Sequence, residues 1–422
     1  MYTILLHFLI IFVFTNSTPV LSHTLNFSPE GKFKILQLTD LHYGEGSYTD
    51  QNTQRLQAEL IERVQPDVVV VTGDVVSGYA YHGQPNFFED AWEKFSQPFI
   101  DNDIYYAFTI GNHDAQGDVE PKTIYELEKK NKFSLCALSQ EGSFDHFNYY
   151  LPVYSGLQKG NVSSLLWVFD SHSVGCSQES NSWGCVGDPE IEWYHKNSQE
   201  LKKKYGSNVH HLGFFHIPVP EYMDLYNDYE FYGHRNEDAS CPLINTGFFD
   251  ALKKNGDIQA IFVGHDHLND YGGYIDNIEL VYGRRMGYAG YGHLFGFQRG
   301  ARVIELTEKL DKNGELIVER NHYVIVEHEK QEDLSRQKEL HRRKGPRQVV
   351  CVAGNNSETY FSALLWILIG GVVIYGMGIL NNKMIKQYKK KRNLVLTPVK
   401  VKKELANEHD DELTHDDEDW AI

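Results

Sequence analysis

Apolar runs of strand length recur along the chain, and patterns with helical spacing separate them. Residues 33–39 (FKILQLT) and 67–72 (DVVVVT) predict two buried strands. Between them, residues 49–64 repeat leucine, isoleucine and valine at helical spacing, and Pro66 lies beyond the end of that pattern. The order strand, helix, strand indicates an α/β fold built in layers.

The same alternation continues along the chain. A second helical pattern aligns Phe88, Trp92, Phe95 and Phe99 on one face. The further predicted elements are a helix at 188–205 and strands at 104–110, 165–170, 210–215, 258–263, 301–306 and 315–326. Ligands of α/β folds collect beyond the carboxyl ends of the strands, so functional residues are expected directly after the strands.

Two apolar segments near the chain ends predict membrane targeting. Residues 1–22 contain no charged side chain and predict a cleaved signal peptide. Residues 361–380 are uncharged and long enough to span a bilayer, and a basic run from Lys383 to Arg392 follows them. The positive-inside rule places this basic flank in the cytosol. The sequence therefore predicts a single-pass type I membrane protein whose large domain is extracellular or lumenal.

These segments divide the chain into five parts. We predict a signal peptide at 1–22, a folded domain at 23–326, a lumenal stalk at 327–360, a transmembrane helix at 361–380 and a cytosolic tail at 381–422. The formal net charge is −18, and the acidic excess falls before the transmembrane segment because basic and acidic residues balance in the tail. An acidic domain argues against DNA or RNA as a partner, since nucleic-acid surfaces need a basic face.

Cysteine and asparagine motifs agree with a secretory protein. Four cysteines of the domain allow three disulfide pairings, of which Cys176–Cys185 is a short local loop, but the sequence alone selects none. Cys351 is left over and would be free to link two chains as a dimer. The four cysteines are Cys136, Cys176, Cys185 and Cys241. N-x-S/T sequons, which accept glycans in secreted proteins, begin at Asn26, Asn161 and Asn355.

Polar residues with metal-ligand chemistry follow five of the predicted strands. Carboxylates, an amide oxygen and several imidazoles together suit a pair of divalent or trivalent cations that share one carboxylate. Asp74 is the natural bridge between the two ions. The predicted metal ligands are Asp40, His42, Asp74, Asn112, His216, His265 and His267.

Five motifs, in this order, resemble the sequence blocks of the calcineurin-like metallophosphoesterases over about residues 33–305. They are Asp40-x-His42, Gly73-Asp74, Gly111-Asn112-His113-Asp114, His216 and Gly264-His265-x-His267. The strings FHIPVPEY (215–222) and GHDHLNDYGG (264–273) are similar to those of the branch related to purple acid phosphatases. The resemblance implies an α/β fold arranged as a four-layer αββα sandwich.

One position departs from the pattern of that branch. Purple acid phosphatases carry a tyrosine ligand three residues after the bridging aspartate, and its bond to ferric iron produces their colour. This chain has Ser77 at that position, and His42 supplies an imidazole instead. The resemblance therefore implies a member that is not purple and that holds two metal ions. Iron, zinc and manganese are all compatible with it, and iron together with zinc or manganese is the expected pair.

The same resemblance implies a role for each site residue. One ion is expected between Asp40, His42, Asp74 and His267, and the other between Asp74, Asn112, His216 and His265. The resemblance also implies that a metal-bound hydroxide would attack phosphorus in line with the leaving oxygen. The catalytic residues would be His113, which donates a proton or a hydrogen bond, and Asp114, which orients His113 or supports the site from behind.

These expectations describe a phosphoesterase that hydrolyses phosphate monoesters, with a phosphorylated small molecule or a phosphoprotein as substrate. One alternative keeps the centre but acts on diesters or pyrophosphates, such as nucleotides or lipid head groups. A second alternative is a membrane receptor that keeps the fold without the chemistry, but the complete ligand set argues against it. Arg284 and Arg285 are interpreted as a solvated pair rather than as a phosphate clamp.

Overall fold

A computed structural model gives the fold and describes residues 24–136, 147–177, 179–292, 297–328, 339–352, 383–384 and 386–387. The chain divides into two compact units, Met1–Asn355 and Asn356–Ile422. In the second unit the described residues, 383–384 and 386–387, are helical. The predicted signal peptide (1–22), the predicted transmembrane helix (361–380) and most of the predicted tail lie outside the described residues. Within the described ranges, no helix combines the length and the apolar character that a membrane crossing needs.

All strands and longer helices of the described residues belong to the first unit. The strands are β1 (Leu25–Asn26), β2 (Lys32–Leu38), β3 (Val68–Thr72), β4 (Tyr106–Thr109), β5 (Tyr149–Tyr154), β6 (Val162–Val168), β7 (Val174–Cys176), β8 (Glu179–Trp183), β9 (His210–Phe214), β10 (Phe231–Tyr232), β11 (Ile258–Val263), β12 (Gly272–Ile275), β13 (Ile278–Tyr282), β14 (Gly300–Leu310) and β15 (Leu316–Val326). The helices are α1 (Ser47–Val64), α2 (Phe87–Asp101), α3 (Pro121–Glu128), α4 (Asp188–Tyr205), α5 (Glu221–Asp228) and α6 (Phe248–Asn255), and a 3₁₀ turn covers Gly78–Ala80.

Two mixed sheets form the centre of this unit. The first has the order β15-β14-β2-β3-β4, in which β2, β3 and β4 are parallel. The second has the order β1-β5-β6-β9-β11-β13-β12-β10, in which β6, β9, β11 and β13 are parallel. A two-stranded hairpin, β7-β8, stands apart from both sheets. The parallel strands carry continuous apolar runs because both of their faces are covered.

Neighbouring residue rows of the second sheet face opposite layers. One row across β6, β9, β11 and β13 is Val168, Phe214, Phe262 and Val281, buried in a core shared with the first sheet and with α1 and α2. The adjacent row, which includes Trp167, Ile261 and Leu280, packs with α4, α5 and α6. Each fully buried side chain of this size contributes about 1.5–3 kcal/mol to folding. The order of layers is helices, sheet, sheet, helices, and the α/β prediction is confirmed.

The predicted elements agree with the observed ones where the apolar pattern is long. Residues 188–205 and 258–263 form a helix and a strand with the predicted bounds, and α1 begins two residues before the predicted Thr49. The sequence analysis missed β5 and the hairpin β7-β8. The run YYLPVY of β5 is apolar, but Pro152 within it argues against a strand, and β8 reads ESNSW, which lacks the apolar pattern of a strand.

Part of the segment predicted as a stalk packs against the domain. His341 forms a β-bridge with Phe231, and Gln348 exchanges hydrogen bonds with Asn227 and Ala239. A disulfide joins Cys241 to Cys351, 110 positions apart. The expectation that Cys351 is left over to link a dimer is therefore wrong, because the chain returns to the domain before this cysteine.

The three other cysteines of the domain form one further disulfide and leave one free thiol. Cys176 and Cys185 form the second disulfide, across nine positions. Cys136 is the free cysteine of the described residues.

Candidate metal centre

The predicted ligands converge where the parallel strands of both sheets end. Asp40 and Asp74 each lie two residues beyond a strand of the first sheet, and His216 and His265 each lie two residues beyond a strand of the second. All seven predicted ligands are buried: Asp40, His42, Asp74, Asn112, His216, His265 and His267. Asp40 and His267, 227 positions apart in sequence, are thus brought together by the fold.

The loops that carry these ligands have unusual backbone conformations. Asp40, His42, Asp74 and His265 have positive φ values of 54°, 53°, 52° and 78°. Each such non-glycine residue costs about 1–3 kcal/mol, a strain that concentrates at functional sites. Gly73, which precedes Asp74, lies so close to the ligand His216 that a Cβ at position 73 would be 2.7 Å from His216 Nδ1. The Gly-Asp motif is therefore explained by close approach of backbone to ligand.

Asp40, His42, Asp74 and His267 form one group whose ligand atoms all lie within 4.8 Å of one another. His42 Nε2 is 3.1 Å from His267 Nε2 and 3.7 Å from Asp74 Oδ2. Asp40 Oδ1 is 3.7 Å from His267 Nε2.

The hydrogen-bond partners of this group assign the tautomers of its two histidines. His267 Nδ1 lies 3.0 Å from the carbonyl oxygen of Tyr291, which only accepts, so Nδ1 carries the proton. Ser77 Oγ donates to Glu45 and therefore accepts from His42 Nδ1 at 2.8 Å. Both Nε2 atoms thus point lone pairs at each other, and a cation between them satisfies both.

Burial keeps these two rings neutral. It lowers the pKa of His42 to about 3 and the pKa of His267 well below its ordinary value. Neither ring therefore takes up a second proton near neutral pH, so no proton lies between the two facing Nε2 atoms.

The second group contains Asp74, His216 and His265, with Asn112 beside it. His216 Nδ1 donates to Thr72 O at 2.7 Å, so its Nε2 is left to face two oxygens. These are Asp74 Oδ2 at 3.1 Å and Asn112 Oδ1 at 3.0 Å. Within the described part of the chain, the buried atoms His265 Nε2 and Asn112 Nδ2 have no hydrogen-bond partner.

The charges of the second group favour a positive charge beside Asp74. Burial alone would lower the pKa of His216, but the charge of Asp74 and the hydrogen bond between them raise it to about 9. Burial likewise opposes ionisation of Asp74, yet His216 and the other neighbouring histidines hold its pKa well below the ordinary value. Burial raises the pKa of Asp40 to about 6. The residues present fit two cations that share Asp74, because the lone pairs of His42 and His267 face each other and the oxygens of Asp74 and Asn112 converge where His216 carries positive charge.

The two predicted catalytic residues lie in different surroundings. The side chain of His113 is 25% exposed, and its Nε2 is 4.0 Å from Asp74 Oδ2. Its Nδ1 is 2.6 Å from Gln116 Oε1, and its ring packs on Tyr79 with centroids 4.7 Å apart. Gln116 is therefore the residue that orients the His113 ring.

Asp114 instead holds the ligand loops together. Its Oδ2 accepts hydrogen bonds from the backbone N–H groups of Asp74 and Gly111 at 3.0 and 2.7 Å, and its Oδ1 accepts from Val76 at 2.8 Å. Burial and the nearby Asp74 raise the pKa of Asp114 to about 7. Of the two roles expected for Asp114, the geometry favours support from behind the site.

Several residues near the centre were misinterpreted or missed in the sequence. Arg284 and Arg285 are each 3% exposed, so their interpretation as a solvated pair is wrong. Tyr291 stacks on His267 at 4.1 Å, and Trp183 meets the ring of His265 edge to face at 4.6 Å. A single sequence does not show which aromatic residues fold onto a ligand, since similar residues fill the core.

Known proteins are similar to most of the first unit. A sequence model of the family described as Calcineurin-like phosphoesterase matches residues 33–269, more than half of the chain. An Arabidopsis thaliana protein named probable inactive purple acid phosphatase 29 is 29% identical over 322 residues, which cover 69% of this chain and 80% of the plant protein. Probable inactive purple acid phosphatase 28 of the same plant is 30% identical over 314 residues, with 67% and 77% covered. Phosphatase DCR2 of Saccharomyces cerevisiae is 27% identical over 287 residues, with 62% and 48% covered.

Proposed function

This chain belongs to the calcineurin-like phosphoesterase family, in the branch related to purple acid phosphatases, and from this premise we propose that it hydrolyses phosphate monoesters with two bound metal ions. One observation carries the proposal: the lone pairs of His42 and His267 face each other, and Asp74 and Asn112 converge on His216, an arrangement that a pair of cations satisfies.

We assign four ligands to each ion. Asp40, His42, Asp74 and His267 would hold the first, and Asp74, Asn112, His216 and His265 would hold the second. When bound, the two cations supply Lewis-acid charge to the phosphoryl oxygens and make water a better nucleophile. The metals are iron, zinc or manganese, the ions suited to mixed imidazole and carboxylate ligands.

His113 is the residue placed to act on the leaving group. Its backbone N–H donates to Asp74 Oδ1 at 2.9 Å, which fixes the side chain beside the bridging carboxylate. Gln116 Oε1 holds Nδ1–H, so a fully protonated ring has Nε2–H left to donate to the leaving oxygen. The partial exposure of His113 allows this contact with a substrate, whereas the buried ligands stay covered.

The branch relationship supports monoesters over diesters, and the substrate is a phosphorylated small molecule or a phosphoprotein. The plant relatives carry the word inactive in their names. Activity is nevertheless the better proposal for this chain, because it holds a full set of seven buried ligands around one centre.

We further propose that the domain works outside the cytosol, on a type I membrane protein. Two disulfides within the domain support this location, since such bonds persist in oxidising compartments. The apolar segments at 1–22 and 361–380 supply the targeting and the anchor in this proposal.

The test uses the full chain, made in a secretory host, with p-nitrophenyl phosphate and bis-p-nitrophenyl phosphate as substrates. Metal content is measured on the same samples by mass spectrometry. Asp74→Asn removes the bridging carboxylate, and Asp250→Asn, an exposed aspartate on α6, is the matched control. We expect monoester turnover with about two metal ions in the wild type and in Asp250→Asn. Asp74→Asn should lower kcat by at least about 10³-fold, because metal charge supplies several kcal/mol of transition-state stabilisation.

The other outcomes discriminate between functions. A preference for the diester would keep the centre and replace the monoester assignment. Two bound metals without turnover of either ester would contradict the phosphatase proposal and leave a metal-binding receptor. A chain that binds no metal and turns over neither ester would contradict both the phosphatase and the metal-binding receptor.

A further inference from the structure

His265 differs from the other histidines of the centre. His42, His216 and His267 are each oriented through Nδ1 by an oxygen atom. The Nε2 of His265 has no hydrogen-bond partner in the described ranges, and the nearest aromatic neighbour of its ring is Trp183. Those two rings meet at 86° with centroids 4.6 Å apart. At Nε2, therefore, no hydrogen bond within the described residues orients this ring, and the contact with Trp183 is a packing contact that does.

Trp183 is carried by the hairpin β7-β8, which stands outside both main sheets. Val174 of β7 pairs with Trp183 of β8, and the disulfide Cys176–Cys185 joins β7 to the residues just after β8. The two cysteines are buried, although much of the hairpin is exposed. A short polar hairpin of this kind has little core of its own, so the disulfide supplies the constraint that packing does not.

Two further contacts fix the hairpin to the centre. Ser173 Oγ donates to the carbonyl oxygen of Asn112 at 3.0 Å. Ser182 Oγ, next to Trp183, accepts from the backbone N–H of Leu243 at 2.9 Å. The hairpin is thus attached to one ligand loop on one side and to the segment after Cys241 on the other.

We propose that Trp183 is a positioning residue for His265 and that the disulfide-closed hairpin keeps the second metal position occupied. The inference rests on the proposed function, because it assumes a metal at Asp74, Asn112, His216 and His265. In this proposal His265 ligates through Nδ1, so Nε2 is the nitrogen that a hydrogen-bonding oxygen would otherwise orient, and the contact with Trp183 takes that role. Loss of such a supporting contact typically weakens metal binding by about 10–100-fold.

The test measures binding of Zn²⁺ alone, so it needs no turnover. Full chain stripped with EDTA is titrated with Zn²⁺ in a calorimeter with a competing chelator, and the wild type should show two binding steps. His265→Ala identifies the step that belongs to the second position. Trp183→Ala should weaken that step by about 10–100-fold and leave the other within about threefold.

Two matched pairs of variants separate positioning from a general loss of structure. Trp183→Phe keeps an aromatic ring without the indole N–H, and it should stay within about threefold of the wild type. The double variant Cys176→Ser/Cys185→Ser should weaken the same step as Trp183→Ala. Cys241→Ser/Cys351→Ser removes the other disulfide, which does not carry Trp183, and should leave both steps unchanged.

The results that overturn the inference differ from those that overturn the proposed function. Equal weakening of both steps in Trp183→Ala, or no change in either, removes the positioning role. A Trp183→Phe variant as weak as Trp183→Ala also contradicts it, since ring packing would then be insufficient. A wild-type chain that binds fewer than two Zn²⁺ ions overturns the metal centre and this inference together.

Discussion

Two polar clusters in the interior, whose sequences adjoin at His267 and Asp270, differ in how their donor and acceptor atoms are paired. At the metal centre, the lone pairs of His42 Nε2 and His267 Nε2 face each other without a donor between them. The second cluster, here called the charged network, has a donor for each acceptor. It consists of Asp270, Glu279, Arg284, Arg302, Arg320 and His322.

The contacts of the charged network show this completeness. Arg284 pairs with Asp270 and also donates to Gln298 O at 2.7 Å. Arg320 donates to Glu279 Oε2 at 2.6 Å, and His322 Nε2 lies 3.2 Å from the other oxygen of Glu279. The comparison shows which buried polar cluster needs a ligand: protein groups satisfy the charged network, whereas the centre keeps a shortage of donors that cations would meet.

The largest expected effect comes from breaking the network. Arg284→Met leaves the carboxylate of Asp270 buried without its main partner, so the free energy of unfolding should fall by about 3–5 kcal/mol. Denaturant unfolding in EDTA, followed by tryptophan fluorescence, measures this change. The affinity for Zn²⁺ should stay within about threefold, because no predicted metal ligand is altered.

The double variant Arg284→Met/Asp270→Leu is the control for that experiment. It removes the unpaired charge and should recover most of the lost stability. A network variant that also lost Zn²⁺ binding would contradict the separation between the two clusters.

The next effect comes from filling the centre. Zn²⁺ at 100 times its dissociation constant should raise the free energy of unfolding by about 2.7 kcal/mol for each site filled, because the folded chain alone presents the ligand set. The same denaturation experiment with and without Zn²⁺ measures it. Arg284→Met should gain as much as the wild type, whereas Asp74→Asn should gain much less. Equal gains in all three chains would mean that Zn²⁺ binds elsewhere.

Acid pH should weaken the network. Burial opposes ionisation of Asp270, but the charge of Arg284 and the contact with His234 hold its pKa well below the ordinary value of 3.8. A lowered folded-state pKa means that the stabilisation is complete above the ordinary value and is lost as the pH falls below it. The loss should be about 1.4 kcal/mol for each pH unit below 3.8.

Unfolding of the wild type and of Arg284→Met/Asp270→Leu between pH 4.5 and about pH 2.5 isolates this contribution, because the double variant lacks the pair. The wild type should lose stability faster than the double variant. Parallel pH profiles would show that Asp270 keeps its ordinary pKa in the folded chain.

The smallest effect concerns the orientation of His113. Gln116→Ala removes the partner of His113 Nδ1, a contact that contributes about 1 kcal/mol, so kcat should fall by about fivefold. Metal content and KM should not change, since neither depends on this hydrogen bond. Turnover of p-nitrophenyl phosphate measures the effect. An unchanged kcat would mean that a residue other than Gln116 orients the His113 ring.

The sequence by itself determined the α/β class and the positions of the ligands along the chain. Runs such as VVVVT in β3 are too apolar and too β-branched to be anything but a covered strand, and Gly73-Asp74 follows directly. Parallel strands place their carboxyl ends at a common edge, so local patterns were sufficient to bring Asp40 and Asp74 to one edge. His265 follows a strand of the other sheet, and the packing of the two sheets brings it to them. The same reasoning located α4 and β11 with their observed bounds.

Only the tertiary structure decided contacts between segments that are distant in sequence. It paired Cys351 with Cys241 and buried Arg284 against Asp270. It showed that the side chain hydrogen-bonded to His113 Nδ1 is Gln116 and not Asp114. It also placed Trp183, on a short polar hairpin, against His265. Periodicity reports how one element meets its surroundings, but the choice of partner depends on packing and electrostatics that are set only when the whole chain has folded.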